Sequence, residues 1–302
     1  MGVAVGVVAP DDPAAIQRLE DAGVASLWVG GHIASTNPSP EPMVWLARLV
    51  EQTRRATVGT ATLLLPLYPP ALVAKQIADL DRASGGRVAL GVGVGGEYAS
   101  DFAAVEVPST ERGARTDEAI ELLRRFWQAE PVEHRGRHFA IDGVRIHPAP
   151  TQPGGPPIYV SGRSDAAMRR AGLVGDGWMP YLSSARRYRE SVARVGEHAA
   201  AAGRTLDRFE WLVYVMVAMD DDGDAARRGA TSFFGSTYRQ DVAELVDRIA
   251  VVGTPDDVGE QLAAYVAAGA THLILCPIHG DRTEATERLV ADVAPGVETT
   301  SA

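Results

Sequence analysis

The sequence predicts an α/β chain folded as a (β/α)8 TIM barrel with insertions after strands four and seven. Three observations carry that expectation. Eight short β-rich runs recur along the 302 residues. Longer stretches with an apolar residue at every third or fourth position alternate with them, and glycine or proline marks the hand-over in both directions. Eight parallel strands is the number that closes such a barrel.

The first strand is expected over residues 3–8, after which Asp11-Asp-Pro opens a helix that Gly23 closes. The second spans 26–29, and Pro40-Glu-Pro opens the next helix. The third, 57–64, leads through Pro69-Pro70 into a helix carrying Lys75, the single lysine of the chain. The fourth, 88–92, precedes a helix opened near Arg112 and a long segment, 129–157. There His134-Arg-Gly-Arg-His-Phe reads as a hairpin turning at Gly136. Strands 158–161 and 177–179 flank a helix begun by Ser164, and the next helix ends before a seventh strand at 210–218. Gly172, Gly203 and Gly269 stand where left-handed helix caps are expected. The second insertion, 220–252, should hold a helix near 225–232, a Gly/Ser/Tyr loop and a helix over 241–250. Thr254-Pro-Asp-Asp opens the last complete helix, 272–276 is the eighth strand, and the tail after Pro295 should fray. The organisation expected is one domain over 1–295 with a tail over 296–302.

Hydrophobic residues at 46% and charged residues at 23% suit one large core. The net charge of −10 repels nucleic-acid backbones and anionic membranes, so neither is expected as a partner. The longest apolar run, near residues 63–67, is broken by Pro66 and falls far short of the roughly 20 residues of a membrane span. Cys276, alone in the chain, cannot form an internal disulfide, and the N-terminal residues have no basic leader, so a cytoplasmic protein is expected.

Barrel chemistry collects at the strand tips. Ser161-Gly162-Arg163-Ser164 runs from a buried strand into a helix whose first turn offers unpaired amides and the positive end of the macrodipole, a seat for phosphate. A phosphate-bearing cofactor follows. Gly93, Gly95 and Gly96 strip side chains from the end of the fourth strand and read as clearance for a flat ring, or as tight barrel packing. His32, after Gly30 and Gly31, should project into the mouth as a proton-handling group. Glu97 is a second catalytic candidate. Tyr68, Tyr98 and Trp178 could flank an aromatic ligand or only pack the mouth. Arg112 and Arg115 could reach an acidic cofactor tail or pair with neighbouring acids. His134 and His138 read as solvated polar residues beside a turn. No histidine and carboxylate set has metal-ligand spacing, so no metal site is expected. Lys75 lies in a helix away from the strand tips, which argues against Schiff-base chemistry.

Several blocks together resemble the luciferase-like monooxygenase and F420-dependent oxidoreductase superfamily: Val58-Gly-Thr with Pro69-Pro-Ala-Leu-Val-Ala-Lys-Gln, the run from Leu80 to Gly93, Glu111-Arg-Gly-Ala-Arg-Thr-Asp-Glu, the phosphate-seat block through Gly175-Asp-Gly-Trp178, and Gly253-Thr-Pro-Asp-Asp-Val. The resemblance implies a barrel holding coenzyme F420 or FMN, with the deazaflavin slightly favoured. It puts the cofactor phosphate at Gly162, Arg163 and Ser164, the ring against Thr60, Ala61 and Thr62, and a non-prolyl cis bond between Ala61 and Thr62. Where many deazaflavin relatives carry Asp-His, this chain has Gly31-His32, which leaves the histidine without its adjacent carboxylate. Some relatives place a glutamate one residue earlier than Glu97. The function implied is hydride transfer between F420 and a small organic substrate. The alternatives are an FMN monooxygenase that activates oxygen and a flavin-binding protein without turnover. A homodimer is implied by the same resemblance.

Overall fold

The computed structural model describes residues 2–36, 38–238 and 246–299. In chain order the elements are β1 (Ala4–Val8), α1 (Pro13–Asp21), β2 (Ser26–Val29), α2 (Pro42–Gln52), β3 (Thr57–Leu64), α3 (Pro70–Ser84), β4 (Val88–Gly93), α4 (Ala99–Ala104) and α5 (Arg112–Phe126). There follow β5 (Val132–Arg135), β6 (Ala140–Val144), β7 (Ile158–Ser161), α6 (Asp165–Val174), β8 (Gly177–Met179), α7 (Ala185–Ala201), β9 (Glu210–Met219) and α8 (Gly223–Tyr238). The chain ends with α9 (Val246–Ile249), β10 (Val251–Gly253), α10 (Pro255–Ala267), β11 (His272–Pro277), α11 (Arg282–Arg288) and α12 (Ala294–Thr299).

The strand order is β9-β11-β1-β2-β3-β4-β7-β8, and a β8–β9 pairing closes the sheet into a (β/α)8 barrel, with β10 added outside β9. All eight predicted strands are present within a residue or so of their expected bounds. β11 is buried at every position, the near-continuous apolar run of a parallel strand covered on both faces. The expected hairpin is β5–β6, antiparallel, with the Gly136 amide donating to the Phe139 carbonyl at 3.0 Å. Two compact units emerge from the chain's contacts, Val29–Ser161 and the combination of Met1–Trp28 with Gly162–Ala302.

The predicted helix starts are chemically realised. Asp12 caps α1 through the Ala14 amide and Glu41 caps α2 through the Val44 amide, each with proline in the first turn. Thr254 and Asp257 form a reciprocal capping box on α10. Helix C-termini are closed in each unit by an arginine fork. Arg87 donates to the carbonyls of Thr53, Ala56 and Ser84 at 2.7–3.1 Å, and Arg204 to those of Gly172 and Gly175 at 2.6–3.0 Å.

Three expectations need correction. Gly172 is not a cap: it lies inside α6, where a Cβ would fall 2.7 Å from the Val195 carbonyl oxygen of α7, so glycine permits close helix packing. The helix near 225–232 runs on to Tyr238, because Ala226, Ala230 and Phe234 continue a buried stripe against Ala218 and Val252 and outweigh the glycine at 235. Residues expected to fray after Pro295 are helical as far as Thr299. Of the helix expected over 241–250, the structure shows α9; residues 241–245 lie outside the described residues. No helix among the described residues is long and apolar enough to cross a membrane.

Candidate active site

In the unit Val29–Ser161, the tip of β3 carries the expected bulge. Its register against β4 shifts between Thr60 and Leu63, and the Ala61–Thr62 bond is cis. Thr60 is fully buried and its hydroxyl donates to the Gly91 carbonyl at 2.7 Å, so it ties the bulge to the wall and offers no surface to a ligand. Ala61 and Thr62 are partly exposed, as are Gly30, Gly31 and Gly93. The glycines have a specific cause. A Cβ at Gly30 would stand 2.4 Å from the Ala61 carbonyl oxygen, and one at Gly31 only 1.8 Å from that of Pro40. Backbone from the bulge and from the loop before α2 therefore fills the space a side chain would need. At Gly93 the clearance read as room for a ring is used by Thr62, whose hydroxyl oxygen would lie 2.7 Å from any Cβ added there.

His32 follows these two glycines. Its Nδ1 lies 2.8 Å from Oδ2 of Asp101, while Oδ1 of the same carboxylate accepts from the Ile33 and Ala34 amides, each at 2.8 Å. The missing adjacent carboxylate is thus supplied by α4, 69 residues away in sequence. Asp101 is wholly buried and the imidazole is 24% exposed, so the pair has one sealed and one open end. α4 is held in place by Phe102, which packs with Leu64 and Leu67 at the end of β3. The Tyr98 ring meets the imidazole edge-on at 4.8 Å. The loop itself is pinned by the His32 amide donating to Ser39 Oγ at 3.0 Å. Nearby, the Tyr68 hydroxyl donates to Glu41 at 2.7 Å; burial pushes the phenol well up, and the Glu41 bond and the charges of Glu41 and Asp101 add to the effect. Sequence reasoning missed Asp101, because nothing local distinguishes it from any other helix-start acid.

The remaining candidates of this unit separate. Gly95 and Gly96 adopt positive φ, and Glu97 behind them is exposed with no side-chain partner among the described residues. Arg115 sits over the Phe139 ring at 4.9 Å, and Arg112 donates to the Ser109 carbonyl at 2.7 Å. His134 and His138, expected to be solvated, are only 11% and 4% exposed. The hairpin folds back on α5, where Glu118 accepts from His134 Nε2 at 2.9 Å and from the His138 and Phe139 amides. Burial raises the Glu118 pKa, but these donors outweigh it and hold the carboxyl below its ordinary value. Lys75 is spent on Asp79 and the His147 carbonyl, both at 2.8 Å.

In the other unit the turn from β7 into α6 has a tight, glycine-dependent form. Gly162 adopts φ 125°, and a Cβ there would fall 2.8 Å from that of Ala167. Ser164 caps α6 through the Ala167 amide at 3.2 Å, and Ser161 is buried just before it. Trp178 has no exposed surface. It stacks on Tyr188 at 5.4 Å, and its Nε1–H donates to the Gly162 carbonyl at 2.9 Å, so it sets the turn from behind and cannot flank a ligand. Arg163 gives one N–H to the Leu182 carbonyl at 2.9 Å and lies over the Tyr181 ring. Asp165, an anion in the first turn, is engaged by Arg194 and His198, which together lower its pKa. Among the described residues no group of three or more His, Cys, Asp or Glu side chains is placed to hold a metal ion.

With this geometry in view, the luciferase-like monooxygenase family model matches residues 11–272. The chain belongs to that family. A relative in Kineococcus radiotolerans, an F420-dependent glucose-6-phosphate dehydrogenase, is 28% identical, covering 92% of this chain and 90% of its own. Among solved structures, an F420-dependent secondary alcohol dehydrogenase in complex with an F420–acetone adduct superposes with a TM-score of 0.87 at 20% identity, over 98% of this chain and 99% of that one. The oxygenating constituent of 3,6-diketocamphane monooxygenase from Pseudomonas putida, in complex with FMN, gives 0.76 at 21% identity, over 98% and 99%. At these identities the superpositions establish the shared barrel.

Proposed function

We propose that this family member is an oxidoreductase that uses coenzyme F420 to exchange a hydride with a small organic substrate. The observation that carries this reading is the His32–Asp101 pair, an imidazole with one open edge that directly follows Gly30 and Gly31, whose partly exposed backbone packs against the bulge at Ala61 and the Pro40 carbonyl. The residues fit the cofactor. Gly30, Gly31 and Ala61 offer a planar ring a surface with no side chain larger than a methyl, and the Ser164 helix start suits a phosphate, its one local anion being neutralised by Arg194 and His198. Bound F420 would supply the hydride chemistry. The chain's share is to place substrate, exclude water and manage one proton at His32. The relatives that match over most of both chains are F420-dependent dehydrogenases, which supports the deazaflavin over FMN. Glu97, exposed and unheld, fits a rim residue better than a proton donor.

The FMN monooxygenase reading rests on the likeness to the FMN-bound structure. A second copy of the chain is the expected macromolecular partner, with Val44 of α2 and Leu72 of α3, 65% and 49% exposed, as apolar surface available to it. Absorbance titrations of the purified protein with F420 and with FMN separate the cofactor readings. Tight F420 binding followed by bleaching with an oxidisable substrate is the expected result. FMN binding with no F420 binding overturns it, and F420 binding with no turnover for any substrate tried favours a binder without catalysis.

A further inference from the structure

The reading above gives His32 the proton but leaves open which ring nitrogen handles it and what fixes that choice. The surroundings of Asp101 answer both. Its carboxylate is fully buried, and three donors converge on it: the Ile33 and Ala34 amides on Oδ1 and the imidazole Nδ1 on Oδ2, all at 2.8 Å. Backbone amides can only donate, and two of them on Oδ1 favour the ionised carboxylate, an acceptor at both oxygens, so the Oδ2 contact is read as a bond donated by Nδ1. The imidazole then carries hydrogen on Nδ1, and Nε2 holds the lone pair. No polar partner of Nε2 occurs among the described residues. Ring orientation is constrained twice more, by the edge contact of Tyr98 and by the Ser39 bond to the His32 amide. Position 31 itself cannot carry a carboxylate, since any Cβ there meets the Pro40 carbonyl at 1.8 Å.

We propose that Asp101 is the positioning carboxylate of the site: it locks His32 in the Nδ1–H tautomer and presents Nε2 as the atom that takes the substrate's proton, or returns it in the reverse direction. This rests on the oxidoreductase reading for its consequence, but not for its geometry. Asp101 touches neither ring nor substrate; it acts through His32. In the direction of substrate oxidation, Nε2 would accept the hydroxyl proton as bound F420 took up the hydride, so the substrate would lose one proton and one hydride, two hydrogens and two electrons in all, and the buried carboxylate would stabilise the imidazolium. The charged or titratable groups gathered around the pair are Asp101 from α4, Tyr98 before it, and Tyr68 with its partner Glu41.

Asp101→Asn is the informative substitution, because the amide oxygen still accepts from Ile33 and Ala34 while the amide nitrogen turns a donor toward Nδ1. Long-range proton–nitrogen NMR on protein labelled with 15N-histidine, with His32 assigned by its loss in His32→Gln, reads the tautomer without cofactor. The wild type should show Nδ1–H; Asp101→Asn should show Nε2–H. Steady-state turnover with F420 should fall on the order of 10²–10⁴-fold, with F420 affinity within about three-fold. An Nε2–H tautomer in the wild type overturns the proposal without recourse to any variant, and so does a folded Asp101→Asn protein that keeps the Nδ1–H form or the full rate. If F420 fails to bind at all, the functional reading falls, while the NMR result still decides the positioning role.

Discussion

Each unit of the molecule sets a strand-tip histidine against an aspartate, and the two pairs are built differently. In Val29–Ser161, His32 meets a carboxylate with no exposed surface that also binds two backbone amides. In the other unit, His279 Nε2 stands 3.2 Å from Asp220, whose side chain is 38% exposed, beside a cavity of about 170 Å³ lined by Val217, Glu284 and Arg288 among others. Asp220 is lowered first by the Asp222 amide and then by His279. A sealed carboxylate admits one geometry and acts at low dielectric; an exposed one is screened and leaves its histidine free to turn. The first arrangement has the build of the proposed site, and the second, with its exposed acid, that of a surface contact.

The sharpest way to break this contrast is to remove the imidazoles in turn. His32→Gln should lower turnover by roughly 10²–10⁴-fold, and His279→Gln by less than about three-fold, as followed by the F420 absorbance. Equal losses would erase the distinction. Next in size, Arg163→Glu places an anion at the Ser164 helix start and should weaken F420 binding roughly ten-fold or more, read by fluorescence titration; unchanged affinity would remove the phosphate from that seat. The glycines that border each pair come third. Gly31→Ala drives a methyl into the Pro40 carbonyl and should cost about 1–3 kcal/mol in a urea melt. Gly229→Ala meets only the His279 ring, 2.0 Å from Nδ1, which can swing aside, so its cost should stay under about 1 kcal/mol.

The smallest effect concerns acid stability. Because the folded state lowers the Glu118 pKa below its ordinary 4.5, the unfolded chain binds more protons between the two values. The stabilisation is therefore complete above 4.5 and is lost as pH falls through the lowered value. Glu118→Gln should lower the melting temperature at pH 7 and leave a shallower fall toward pH 3. Asp220→Asn, exposed, should change either by little. A steeper acid dependence in Glu118→Gln than in the wild type would reverse that assignment.

The strands and the helix starts were legible because each rests on neighbours in sequence: apolar runs of four to eight residues, and caps such as Asp12, Glu41 and Thr254 with proline beside them. His32 and the start of α6 were legible as well, since strand tips are fixed once the strands are, whereas the bulge at Ala61 and Thr62 came from the family resemblance alone. Trp178 was misplaced because an aromatic at a strand tip looks the same whether it faces ligand or core, and here it backs Gly162. His134 and His138 were misplaced because only the docking of the hairpin on α5 buries them.

By itself, then, the sequence determined the order of strands and helices, the ends of most of them and the histidine at the tip of β2, all of which are set by side-chain periodicity and backbone preference within a few residues. The tertiary structure alone decided which acid serves that histidine. Asp101 reaches His32 only because Phe102 seats α4 on the end of β3, and because the backbone packed against Gly31 leaves no room for a closer carboxylate. Contacts between residues so far apart depend on how the whole chain packs, and that packing leaves no periodic trace in either segment.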